Sequence, residues 1–118
     1  QYKEIKDFTF FNLSIKSLDL KNNQIEFIEQ RAFYGLEFDL IKLVLSYNKL
    51  ESISFHLYLL KNLKELDLSN NRIKLIMNET FKSLDKLELL NLESNNINKI
   101  EQNAFKDLIS LKEISLKN

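Results

Sequence analysis

The sequence predicts an α/β fold built as a right-handed solenoid. Short parallel strands form its concave face, and short helical or irregular segments form its convex face. Two observations carry this expectation. The pattern Leu-x-x-Leu-x-Leu-x-x-Asn-x-Ile/Leu-x-x-Ile starts at Ile15, Leu40, Leu63 and Leu87, with a fifth start at Leu111, in steps of 25, 23, 24 and 24 residues. Within each copy, apolar residues alternate at the period of a strand with one buried face. A unit of this length cannot bury its apolar residues alone and does so by stacking on its neighbours.

The elements follow from the register. A partial repeat over 1–14 supplies Tyr2, Ile5, Phe10 and Leu13. Repeat 15–39 runs through Ile15, Leu18, Leu20, Asn23, Ile25 and Ile28 to Phe33 and Leu36. Repeat 40–62 runs through Leu40, Leu43, Leu45, Asn48, Leu50 and Ile53 to Leu57 and Leu60. Repeat 63–86 has Leu63, Leu66, Leu68, Asn71, Ile73, Ile76, Phe81 and Leu84. Repeat 87–110 has Leu87, Leu90, Leu92, Asn95, Ile97, Ile100, Phe105 and Leu108, and the partial repeat 111–118 has Leu111, Ile114 and Leu116. Strands are expected near 17–21, 42–46, 65–69, 89–93 and 113–117. Asn23, Asn48, Asn71 and Asn95 follow the strands as a ladder. A carboxamide offers two donors and an acceptor, so each can satisfy backbone groups of its own turn and of the next coil. Two irregularities fall on the convex side. Leu57 stands in the phenylalanine slot, one residue early, and there is one extra residue between Leu36 and Leu40.

These residues resemble the leucine-rich repeat proteins of the extracellular animal type. The segments Gln-Arg-Ala-Phe-Tyr-Gly-Leu (30–36), Glu-Thr-Phe-Lys-Ser-Leu (79–84) and Gln-Asn-Ala-Phe-Lys-Asp-Leu (102–108) carry the Phe-x-x-Leu hallmark of that subclass. Similar proteins include Toll-like receptor ectodomains, Slit-type guidance proteins, small matrix proteoglycans and adhesion receptors. The resemblance implies a curved solenoid that binds a protein ligand or co-receptor rather than catalysing a reaction. It also implies cysteine-rich caps. This chain has no cysteine and opens in mid-repeat, so it reads as a piece of a longer protein whose caps, and any disulfides, lie elsewhere.

Composition narrows the function classes. One glycine cannot build a phosphate-cradling loop. One histidine and no cysteine leave no thiol nucleophile and no ordinary zinc site. His56 lies in an apolar segment and reads as a packing or surface residue. No catalytic, cofactor-binding or metal-binding residue is expected. Seventeen basic residues balance seventeen acidic ones, without the basic field of a nucleic-acid binder. No apolar run approaches the roughly 18 residues of a membrane span. Asn12-Leu13-Ser14 and Asn78-Glu79-Thr80 match the N-glycosylation acceptor pattern, which fits an extracellular or cell-surface location. A cytoplasmic scaffold or regulatory repeat protein is the alternative.

The candidate partner-binding residues are the variable positions of the strands. Most are polar, but Ile41, Val44, Tyr47 and Leu89 are not, although framework packing does not require apolar residues there. Ringed by Lys42, Glu65, Asp67 and Asn91, they resemble a small interface core with a polar rim. Valine, isoleucine and tyrosine also suit an exposed strand by propensity alone, and the sequence does not choose between these readings.

Overall fold

The computed structural model describes residues 3–118; Tyr2 lies outside the described residues. Nine short strands follow one another: β1 (Glu4–Ile5), β2 (Ser17–Asp19), β3 (Phe27–Ile28), β4 (Lys42–Val44), β5 (Glu65–Asp67), β6 (Leu75–Ile76), β7 (Leu89–Asn91), β8 (Lys99–Ile100) and β9 (Glu113–Ser115). One strand from each coil forms the main parallel sheet, in the order β2-β4-β5-β7-β9. Its register aligns Leu18, Leu43, Leu66, Leu90 and Ile114 as one row. This is the parallel solenoid the leucine spacing predicts.

The strands of the main sheet are three residues long, shorter than expected. The coil-to-coil hydrogen bonds continue past them, for example from Leu45 N–H to Asp67 O and from Tyr47 N–H to Ser69 O. The backbone, however, bends immediately afterwards. Asn22, Tyr47, Asn70 and Ser94, each one residue before a ladder asparagine, take positive φ of 62°, 58°, 56° and 55°. Because of this bend, Ser46 and Ser69, which the alternation places outward, are buried.

The ladder itself is continuous. Asn48 Oδ1 accepts from Asn23 N–H (3.0 Å) and Ile25 N–H (2.9 Å), while its Nδ2 donates to Leu20 O, Leu45 O and Ser46 O. Asn71 accepts from Leu50 N–H and donates to Leu45 O, Leu68 O and Ser69 O. Asn95 accepts from Ile73 N–H and donates to Leu68 O, Leu92 O and Glu93 O. The expected direction is therefore corrected: each carboxamide ties its own turn to the preceding coil, not the next. Asn23 is half-buried and, among the described residues, donates only within its own turn, to Leu20 O and Lys21 O.

The return side also departs from expectation. No helix forms among the described residues. The segments are successive tight turns closed by N–H(i) to O(i−3) bonds, such as Ala32 to Glu29, Leu36 to Phe33 and Leu84 to Phe81. About ten residues cross the return side of each coil, and the cost of nucleating a helix is not recovered over so short a span. Two small parallel sheets that the leucine pattern does not announce, β1-β3 and β6-β8, pair Ile5 with Ile28 and Ile76 with Ile100. The equivalent Ile53 is unpaired, and it lies in the repeat that is one residue short.

Aromatic rings fill the interior between sheet and return segments. Phe10 stacks on Phe33 (centroids 5.8 Å), Phe33 meets Phe55 edge-on (5.6 Å), and Phe81 stacks on Phe105 (6.0 Å). Phe55 thus supplies the ring of the second coil, and Leu57 is buried beside it rather than replacing it. Gly35 sits at the tightest crossing. Its φ is +103°, and a Cβ there would stand 2.9 Å from Phe11 Cα.

The packing orders a denaturation series. Asn71→Ala removes four hydrogen bonds at a buried turn and is expected to cost about 1–3 kcal/mol. Phe81→Ala and Phe55→Ala empty fully packed positions and should each cost about 3–5 kcal/mol. Urea midpoints check the order. A wild-type midpoint for Asn71→Ala would refute the ladder, and a mild Phe55→Ala beside a severe Phe81→Ala would return the aromatic slot to Leu57.

Candidate functional site

The open face of the main sheet carries two rows of side chains set by the register. One runs Ser17, Lys42, Glu65, Leu89, Glu113, and the other Asp19, Val44, Asp67, Asn91, Ser115. Across β4, β5, β7 and β9 these rows line a shallow depression of about 320 Å³. Six of the eight sequence-derived candidates are brought together there: Lys42, Val44, Glu65, Asp67, Leu89 and Asn91.

Ile41 and Tyr47 are not among them. Ile41 precedes β4, gives its N–H to Lys16 O, and lines a separate hollow on the flank. Tyr47 lies past the bend, with its ring under the Lys21 ammonium at 5.5 Å. The expected four-residue apolar island therefore reduces to Val44 and Leu89, two strands apart in different rows. Tyr47 is exposed, but its positive φ sets it beyond β4 and it does not line the depression.

Some of these groups already have structural work. Asp67 Oδ1 accepts from Ser69 N–H (3.0 Å) and Ser69 Oγ (2.7 Å); Asp19 and Asn91 accept likewise from Lys21 N–H and Glu93 N–H. Each locks the start of its bend, a role that the Val44 side chain cannot perform. Lys42 pairs with Glu65 across the sheet at 3.5 Å. Asp67, Glu93 and Glu113 are left without a cation among the described residues, so the depression is acidic around two apolar side chains.

A feature the repeat pattern does not reveal lies on the return side. Phe11, Phe8, Tyr34, His56 and Tyr58 form a continuous run of ring contacts at 5.1–6.2 Å, with Arg31 over Phe8. His56 is half-buried and shares a 3.3 Å hydrogen bond between its Nδ1 and the Tyr34 hydroxyl. The neighbouring Tyr58 hydroxyl, together with desolvation, raises the Tyr34 hydroxyl above its ordinary value. Only the recurrence of aromatic residues just before and after the framework phenylalanines could have signalled this run.

Asn12 is exposed, and its neighbour Ser14 donates to Asp39 Oδ2. Asn78 is half-buried, and its Oδ1 accepts from Asn103 N–H at 2.8 Å.

A parallel sheet with one strand per coil, bonded through buried asparagines, defines a class of solenoid that presents side chains on a broad open face. A leucine rich repeat family model matches residues 14–73 and again 61–118. The chain belongs to the leucine-rich repeat family, whose members are generally protein-interaction modules rather than enzymes. No curated protein matches the chain. No helix among the described residues is long and apolar enough to cross a membrane.

Tyr47 occupies a left-handed conformation that costs an L-residue with a bulky side chain about 1–2 kcal/mol. Two other coils place asparagine at the same point, at Asn22 and Asn70. Tyr47→Asn is expected to raise stability by about 1 kcal/mol. A lowered denaturation midpoint would mean that the packing of the ring against Lys21 outweighs the strain.

Proposed function

We propose that this chain is a non-catalytic protein-binding module of a secreted or cell-surface receptor, adhesion or matrix protein. It engages its partner mainly through the open face of the main sheet. The observation that carries the reading is the acidic depression over β4 to β9, where Val44 and Leu89 stand among Asp67, Glu93 and Glu113. Such a surface suits a partner that offers a basic side chain beside an apolar one. Charge complementarity would steer the encounter, and the apolar contact would supply the anchor. Lys42 and Glu65 satisfy each other at one side, and Asn91 supplies a neutral polar contact at the other.

The extracellular assignment rests on the Phe-x-x-Leu form of the repeats and on the two acceptor triplets. Asn12 is open to solvent, and Asn78 keeps its Nδ2 out of its hydrogen bond to Asn103. Both amide nitrogens are therefore positioned to carry a glycan. A developmental, adhesive or innate-immune role lies within this class. A cytoplasmic scaffold would use the same face but leave both triplets unmodified.

Two measurements test the reading. The chain, expressed through a secretory pathway, should carry glycosidase-sensitive mass at Asn12 and Asn78. Unmodified peptides at both positions would favour the cytoplasmic alternative. Screened against a panel of secreted and membrane-protein ectodomains, the wild-type chain should bind a partner that a Leu89→Ala, Glu113→Lys variant binds at least about tenfold more weakly. Both residues are exposed, so the fold should survive, and Lys99→Glu on the return side serves as the control. Equal affinities would move the binding site off the sheet.

A further inference from the structure

We propose that the flank of the solenoid, at the side where the chain enters the main strands, is a second docking site that takes an acidic peptide segment of a partner protein carrying an apolar side chain. The site is separate from the sheet face and does not depend on it.

It begins with the irregularity of the first repeat. Leu36 and Leu40 are one residue further apart than Leu60 and Leu63 or Leu84 and Leu87. The extra residue turns Phe38 out of the fold, and its ring is 80 % exposed. Nothing in the packing of the coil requires an aromatic side chain there. The segment is nevertheless held in place, because Phe38 O accepts from Asn62 Nδ2 at 2.7 Å and Asn62 Oδ1 accepts from Lys86 Nζ at 2.9 Å. This relay crosses three successive coils and fixes one lysine beside the ring.

Two more lysines complete the surface. Phe38, Ile41, Lys16, Lys64 and Lys86 line one hollow of about 280 Å³. Its single acid, Asp39, accepts from Ser14 Oγ. Lysines nearby are neutralised, Lys42 by Glu65 and Lys112 by Glu88. Among the described residues, neither Lys16 nor Lys64 has an acidic partner. In a chain whose charges balance overall, three lysines to one acid is a local positive field. It stands one side of the sheet away from an acidic depression.

The chemistry of the hollow selects its ligand. The lysines call for anionic groups, and Phe38 with Ile41 calls for an apolar side chain between them. A sulfated sugar would bring charge in a continuous run and leave no partner for the exposed ring; a nucleic acid could stack a base on it, but three lysines on a chain of balanced charge do not make the basic track its backbone needs. Alternating carboxylates and apolar side chains on an extended peptide satisfy both demands. Binding of this kind weakens as salt is added, because exposed charges are screened within about 10 Å at 0.1 M ionic strength.

The experiment uses fluorescence anisotropy with a labelled peptide Glu-Asp-Phe-Glu-Asp-Leu-Glu, its Gln/Asn analogue and a heparin-derived hexasaccharide. The acidic peptide should bind in a salt-dependent manner and its amide analogue should not. The double variant Lys16→Glu, Lys64→Glu should weaken it by at least about tenfold, and Phe38→Ser by about threefold or more. Lys99→Glu should leave it unchanged. All of these side chains are exposed, and circular dichroism verifies that each variant keeps its fold. No binding of the peptide at millimolar concentration, or equal binding by all variants, would overturn the proposal. So would hexasaccharide binding that is tighter than the peptide's and indifferent to Phe38→Ser, which would make the site a polyanion site. Self-association of the unliganded chain that Lys64→Glu abolishes would assign the hollow to a second copy and equally overturn it.

Discussion

The asparagine ladder is the constraint on which the rest of this structure depends. At each bend the backbone leaves the sheet with carbonyls of two coils pointing inward, where water cannot reach. A single carboxamide answers three carbonyls and at least one N–H at Asn48, Asn71 and Asn95. Among the described residues no buried side-chain polar atom is left without a partner. An unpaired buried polar group costs about 1–3 kcal/mol, so the alternative to the ladder is a fold that fails at every coil. The positive φ that precedes each ladder residue follows from the same geometry. It is what aims the carboxamide back into its turn.

Because the ladder and the leucine rows hold the sheet in register, its open face is free to vary. Lys42, Val44, Glu65 and Leu89 contribute little to the core, yet their positions are set by residues that do. Asp19, Asp67 and Asn91 stand between the two roles, since they face outward and also accept from the backbone two residues on. Their carboxylates and amide are therefore poor candidates for tuning a partner contact. The freer positions are those occupied by Val44, Leu89 and Glu113.

The sheet was legible in the sequence because leucine spacing reports burial directly. Leu43, Leu45, Leu63, Leu66, Leu68, Leu90 and Leu92 are all buried at the positions the alternation assigns. The return side was less legible. Its turns are closed by backbone i−3 bonds that leave no compositional trace, so the sequence does not separate helices from turns there. Phe55 does not stand out in the sequence, because its repeat is a residue short and the register points to Leu57. In the structure, ring contact with Phe33 decided the matter. At the site, the alternation places Val44 and Leu89 on the open face, whereas Tyr47, exposed at a φ of 58° beyond the strand, does not line the depression. The lysine flank leaves no signature in the sequence, because Lys16, Lys64 and Lys86 occupy different repeats and each stands alone there.

The displaced ring at Phe55 has a mechanical consequence. The first and second coils are tied along the main sheet and by the Phe33–Phe55 ring contact, and the third and fourth along the main sheet, by Phe81 on Phe105 and by a small return-side sheet. Between the second and third coils both the ring contact and the small sheet are missing. No ring contact joins Phe55 to Phe81 among the described residues, and Ile53 pairs with nothing. A hollow bounded by Phe55, His56, Tyr58 and Met77 opens in the same place. The array is thus a spring of uneven stiffness. At that boundary the sheet is helped only by the asparagine ladder and its neighbouring hydrogen bonds, such as Asn71 to Leu45 O and Arg72 N–H to Leu50 O, so resistance to bending on the return side is lowest there and the curvature offered to a partner is easiest to change.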